Sequence, residues 1–177
     1  TILSFGFRPF FLLGAIWAAL AMVIWVFMLA GRNLLPTAFD AVSWHAHEFL
    51  FGYLGAVLAG FLLTAVPNWT GRLPIVGWPL AGLVGLWVAG RVAVAISALV
   101  PWWAVMAVDT GFLLVLALVL GREIIAGKNW RNLAVLLLVL GMALANALYH
   151  LDAAGGGFAA GGIGLRIGLG AAVFLIA

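Results

Sequence analysis

The sequence predicts an all-α integral membrane protein, a bundle of six transmembrane helices. Three observations carry this. The chain is 67% hydrophobic and 7% charged, with a mean hydropathy of +1.29. A soluble domain carries about 25% charged residues, so this chain has too little polar surface to cover a water-facing globule. Apolar runs near the roughly 20 residues that a helix needs to cross hydrocarbon recur along its length. Tryptophan, proline and basic residues punctuate those runs.

The first predicted helix covers 10–30. The second covers 47–66 and stops at Pro67. The third covers 78–98. The fourth, 102–120, follows Pro101, a residue tolerated at a helix start. The fifth covers 132–151, and the sixth, 162–177, runs to the last residue inside an apolar stretch. An opening at Thr1 and a close in mid-helix are the marks expected of the N-terminal half of a larger polytopic protein, with 1–177 forming a single transmembrane helical domain. The first apolar run is too long for a cleavable signal sequence. Short connections make consecutive helices antiparallel neighbours.

Trp44, Trp69, Trp78, Trp102, Trp103 and Trp130 fall at predicted helix ends, where an amphipathic ring favours the membrane interface. Small residues recur every fourth position at Gly52, Ala56 and Gly60, at Ala81, Gly85, Ala89 and Ala93, and at Gly164, Gly168 and Ala172. Such stripes let helices approach closely.

Charge sets the orientation. Arg8, Arg72, Arg122, Lys128 and Arg131 fall on one side of the predicted bundle, and Arg32 alone in the loops of the other. By the positive-inside rule the N-terminus is cytoplasmic, and loops 31–46, 98–101 and 152–161 face outward. The isoelectric point near 10.2 does not indicate nucleic acid: the net charge is only +3 and the basic residues are scattered. The absence of cysteine excludes disulfides, iron–sulfur clusters, thiolate copper sites and covalently attached c-type haem. The glycine-rich run 155–168 follows no strand and lacks the Lys-Ser/Thr of a phosphate loop.

The chemistry-bearing residues gather at the outward end. All three histidines are there: His45 and His47 at the start of the second helix, His150 at the end of the fifth. Asn146 lies one turn before His150 on the same face, and Asp152 just beyond it. Arg91 and Asp109 sit at matched depth on adjacent helices, which suits an intramembrane ion pair. Charges in lipid are costly and mark a site or an internal pair. Histidine is the commonest ligand for transition metals and haem, which points to a metal or haem site built on His45, His47 and His150. A ligating imidazole wants a carboxylate or carbonyl on its other nitrogen, and Glu48 and Asp152 are the candidates. The spacing of His45-Ala46-His47 leaves two arrangements. On an extended segment the two imidazoles share a face and one ion. On a helix they diverge by roughly 200° and serve different sites. In the helical case Gly52 continues the stripe and leaves room for a flat group such as a porphyrin.

The runs "GFRPFFLLGAIWA" (6–18), "WHAHEFLFGY" (44–53) and "AGFLLTAVPNWTGR" (59–72), with "NALYHL" (146–151) more weakly, together resemble the NnrS family of bacterial membrane proteins. The resemblance implies a polytopic inner-membrane protein that holds haem b and copper and acts in denitrification and the nitric-oxide response. It makes His45 and His47 the natural ligand candidates, His150 less specifically. The expected function is nitric-oxide binding or redox buffering in the lipid bilayer, as a homo-oligomer or within a larger membrane complex. Two other classes stay open. One is a transporter, with Arg91, Asp109 and Arg166 lining a path and discontinuous helices near the midplane. The other is an accessory subunit of a larger assembly.

Overall fold

The computed structural model describes residues 2–32 and 34–176, and among them the regular structure is entirely helical. Six helices follow in order: α1 (Phe7–Leu29), α2 (Ala41–Thr70), α3 (Trp78–Ala95), α4 (Trp102–Ala126), α5 (Leu133–Ala154) and α6 (Ile163–Ile176). The first five are long and apolar enough to cross a membrane. The sixth has 14 described residues, about 21 Å at 1.5 Å per residue, against the roughly 30 Å of a hydrocarbon core. The predicted six spans are thus five plus one shorter apolar helix. Residue 177 of the predicted sixth helix and residue 33 of the predicted outer loop lie outside the described residues.

The helix ends show what the hydropathy pattern missed. The predicted start of the second helix at 47 is corrected to Ala41, because Asp40 caps it. The Asp40 carboxylate accepts from the backbone N–H groups of Val42 (3.0 Å) and Ser43 (2.9 Å). This satisfies two of the N–H groups that a helix start leaves orphaned. The helix also runs past Pro67 to Thr70, and stops at Gly71, whose φ of 69° is the left-handed conformation glycine adopts freely. α3 ends at Ala95, three residues before the predicted 98, since Ser97 turns away to bind the 34–40 strap: Ser97 Oγ accepts from Ala38 N at 2.9 Å. α4 continues past the predicted 120 to Ala126. The charges that signal an end there include Glu123, which is nearly buried in an ion pair with Arg72.

α2 is the centre of the bundle. It packs on α1 and α4, and its middle turn, Glu48–Tyr53, touches α3 and α6. That turn is π-helical, between α-helical Ala41–His47 and Leu54–Thr70. The remaining helices pack as sequential neighbours, α3 on α4, α4 on α5 and α5 on α6.

Two of the three small-residue stripes are internal. A Cβ on Gly60 would meet the Phe11 ring at 2.7 Å, and one on Gly164 would meet the Ala145 carbonyl of α5 at 2.8 Å. The α3 stripe differs: Gly85 and Ala89 are exposed and Gly85 has open space beside it. The α3 face turned inward carries Leu80, Leu83, Trp87, Gly90, Arg91 and Val94 instead, because that face holds the larger apolar surface and the one intrahelical cation. Trp44 also departs from its interfacial expectation. It is fully buried between α1 and α2, while Trp69, Trp78, Trp102, Trp103 and Trp130 are exposed.

Removing the Asp40 cap tests the early start of α2. Asp40→Ala is expected to lower unfolding stability in detergent by about 1 kcal/mol, and Asp40→Ser to restore most of it. Thermal melts of the three proteins measure this.

Candidate metal centre

The site begins with where α2 starts. From Ala41, His47 lies six residues inside the helix, roughly 9 Å deep. There it meets Asp109 of α4, which in turn meets Arg91 of α3. His150 and Asn146 reach the same level from α5, one helical turn apart. His47, Glu48, Arg91, Asp109, Asn146 and His150 are all buried.

Asp109 is the hub. Its Oδ1 is ion-paired with Arg91 Nη2. Its Oδ2 accepts from Asn146 Nδ2 at 2.8 Å, and lies 2.9 Å from His150 Nε2 and 3.0 Å from His47 Nε2. Asn146 Oδ1 is also 2.9 Å from His47 Nε2. On the far side of its ring, His47 Nδ1 is 3.3 Å from Glu48 Oε1. The other Glu48 oxygen, Oε2, accepts from Trp17 Nε1 at 2.6 Å and from Arg91 Nη1 at 2.7 Å. Arg91 therefore bridges the two carboxylates, its Nη groups spent one on each.

Close backbone approach makes this possible. A Cβ at Gly52 would collide with the Arg91 guanidinium and come within 3.0 Å of Glu48 Oε2. A Cβ at Gly90 would meet Asp109 Oδ1 at 2.8 Å. The space at Gly52 therefore belongs to Arg91, which corrects the expectation of a porphyrin there.

Aromatic rings close the pocket. Phe39, Phe51 and Tyr149 lie 5.6, 5.2 and 5.4 Å from His47, centroid to centroid, and His150 lies 5.1 Å away. Tyr149 is fixed by its hydroxyl, which donates to Ser43 O at 2.7 Å. Such walls exclude water and strengthen the electrostatics inside.

His47, Asp109 and His150 each offer a ligand atom, and the three atoms all lie within 4.8 Å of one another. Two imidazoles and a carboxylate suit a first-row transition-metal ion. The outer contacts have the form such sites need: Glu48 on the second nitrogen of His47, and Arg91 and Asn146 on Asp109. Formally, two carboxylates face one guanidinium, and a second positive charge, a metal ion or a proton on His47, balances them. The same walls do not fit haem at this pair. The cavity that His150 lines is about 60 Å³, and the larger spaces, a groove of about 300 Å³ between α1 and α3 and a cavity of about 730 Å³ at residues 34–41, are lined by no histidine.

Not every predicted residue reaches the cluster. α2 is helical through both histidines, so His45 points away from His47. It stacks on Trp25 at 3.8 Å with the planes 13° apart, and packs on Phe49 at 4.5 Å. Its Nδ1 is buried without a partner. The arrangement in which His45 and His47 share one ion is thereby overturned. Asp152 is turned to the glycine-rich connection, 3.5 Å from Gly164 N, while His150 bonds to Asp109. Asp109 is the residue whose role the sequence understates. Arg91 and Asp109 are paired, but Asp109 also gathers both histidines. The signal that could have shown this is Asp40: read as a helix cap, it moves His47 inward to Asp109's depth.

The fold and this cluster define a multi-pass helical membrane protein with a buried His–carboxylate site. A family model described as NnrS protein matches residues 1–177, and the chain belongs to the NnrS family. No curated protein and no solved structure matches it.

Two substitutions test the packing of the site. Arg91→Met leaves two carboxylates buried without their cation and is expected to cost about 3–5 kcal/mol, with Arg91→Lys intermediate. Gly52→Ala forces the guanidinium aside and is expected to cost about 1–3 kcal/mol. Unfolding midpoints in detergent give both values.

Proposed function

We propose that this chain is a metal-dependent nitric-oxide-response protein that holds a copper ion at His47, Asp109 and His150. The observation that carries this is the convergence of three buried ligand groups within 4.8 Å, two of them, His47 and Asp109, oriented by further buried polar groups. Membership of the NnrS family supports copper as the metal and nitric oxide as the ligand. The ion supplies a coordination position and one-electron redox capacity. The chain's own residues do the rest. Glu48 fixes the ring of His47. Arg91 and Asn146 fix Asp109. Phe39, Phe51 and Tyr149 keep water out. Nothing here needs multiple turnover, and the role is binding or redox buffering.

Haem b is not assigned to the His47–His150 pair, whose surroundings are too small for a porphyrin. His45 stands outside the cluster and is the histidine left for it. The protein sits in the bacterial inner membrane as one transmembrane domain with its N-terminus cytoplasmic. Five basic residues at the opposite end of the bundle, Arg8, Arg72, Arg122, Lys128 and Arg131, support that orientation, which places the metal centre near the outer face. The polar cluster is confined to that half of the bundle, which favours a site over a transport path.

Metal analysis of the detergent-purified full-length protein tests the proposal. About one copper per chain is expected. His47→Ala and His150→Ala are expected to lose it, and Asn146→Leu to weaken it by about 10–100-fold. His45→Ala is expected to retain copper, and nitric oxide to change the copper electron paramagnetic resonance signal. A folded protein with no metal, or copper indifferent to His47 and His150, overturns the proposal.

A further inference from the structure

A second feature lies on the other side of Arg91. Between α1 and α3 runs a groove of about 300 Å³ lined by Trp17, Ile24, Trp87, Val88, Arg91 and Val92 among others. Its rim is lipid-facing: Val88 and Val92 are 40% and 53% exposed on α3, a membrane-length helix. A molecule therefore reaches it from the bilayer. The volume lies at the lower end of small-molecule sites, which span roughly 300–1,000 Å³.

The lining specifies the guest. Trp17 donates its indole N–H to Glu48 at 2.6 Å, and Trp87 donates its own to Gly52 O at 2.9 Å. With both N–H groups committed inside the bundle, the two indoles offer the groove apolar ring surface. The remaining polar group in the lining is Arg91, which is 4% exposed. Its Nη groups hold Glu48 and Asp109, but its Nε is buried with no hydrogen-bond partner. A buried unpaired N–H costs about 1–3 kcal/mol, which an acceptor on the guest recovers. That acceptor is uncharged. The rest of the lining is apolar, and an anion there is costly to strip of water.

We propose that this groove binds the head group of a membrane quinone. The guest is planar, uncharged and bilayer-soluble, stacks against Trp17 or Trp87, and places one carbonyl oxygen on Arg91 Nε. The alternatives differ by one feature each. A lipid acyl chain brings the apolar surface without the acceptor, and a carboxylate brings the acceptor with a charge. The site is separate from the metal centre, but the guanidinium that would receive the carbonyl also holds Asp109.

Photolabelling tests this on the purified full-length protein in nanodiscs, with an azido-quinone as the probe. Label is expected on peptides of α1 and α3. Decylubiquinone is expected to compete at least 10-fold better than decylbenzene, which lacks the carbonyls. Val88→Trp, which fills the rim without touching the metal cluster, is expected to reduce labelling at least 10-fold at unchanged metal content. In the infrared spectrum of ¹³C-carbonyl-labelled decylubiquinone, one carbonyl stretch is expected to move to lower frequency on binding. Equal competition by decylbenzene identifies an acyl-chain groove and overturns the proposal. So does label spread evenly over the lipid-facing helices, or label at α1 and α3 that Val88→Trp leaves unchanged.

Discussion

One guanidinium holds the histidine-bearing half of this bundle together. Arg91 lies between Glu48 of α2 and Asp109 of α4, with one Nη on each carboxylate. Three charged groups are thus taken out of water, in a protein with few other charges. Each ion carries a desolvation cost of several kcal/mol, which mutual attraction and complete hydrogen bonding must offset. The further contacts of these two carboxylates meet that demand. Trp17 supplies a second donor to Glu48, and Asn146 supplies one to Asp109. Gly52 and Gly90 are small so that the guanidinium and the carboxylate can fit against the helix backbones.

The same constraint explains the shape of α2. An α-helix from Ala41 to Thr70 without interruption would carry a strictly regular register through His47, Glu48 and Gly52. The π-helical turn at Glu48–Tyr53 changes that register immediately after His47. Such turns are frequent at functional sites. Here it begins at Glu48, which holds Arg91, directly after His47, which meets Asp109, and it is the part of α2 that touches α3 and α6. Replacing a buried ion pair by well-packed apolar residues is often neutral or stabilising. A cluster of this size in an apolar bundle therefore points to chemistry more than to stability. In the proposed reading, the two histidines directed at one carboxylate oxygen supply that chemistry.

Much of this was legible in the sequence, and the losses have physical causes. Hydropathy placed the centres of all six helices, because burial in lipid leaves an unbroken apolar run. It misplaced ends wherever a polar side chain was consumed inside the protein. Asp40 reads as a loop residue until it is seen as a cap. Glu123 reads as a helix end until Arg72 pairs with it. The depth matching of Arg91 and Asp109 was visible from counting residues, and so was the shared face of Asn146 and His150. The divergence of His45 from His47 was open, since it turned on whether the segment was helical. That Asp109 serves both Arg91 and two histidines was not visible at all. It depends on how four helices rotate about their axes, which an apolar surface on nearly all sides leaves unspecified.

X-ray absorption at the copper edge of the purified full-length protein tests the central claim most directly. The account predicts two imidazole nitrogens and a carboxylate oxygen at about 2.0 Å, distances typical of such ligands, with no sulfur. A shell containing one imidazole or none, or one fitted only by sulfur donors, would contradict a copper site at His47, Asp109 and His150.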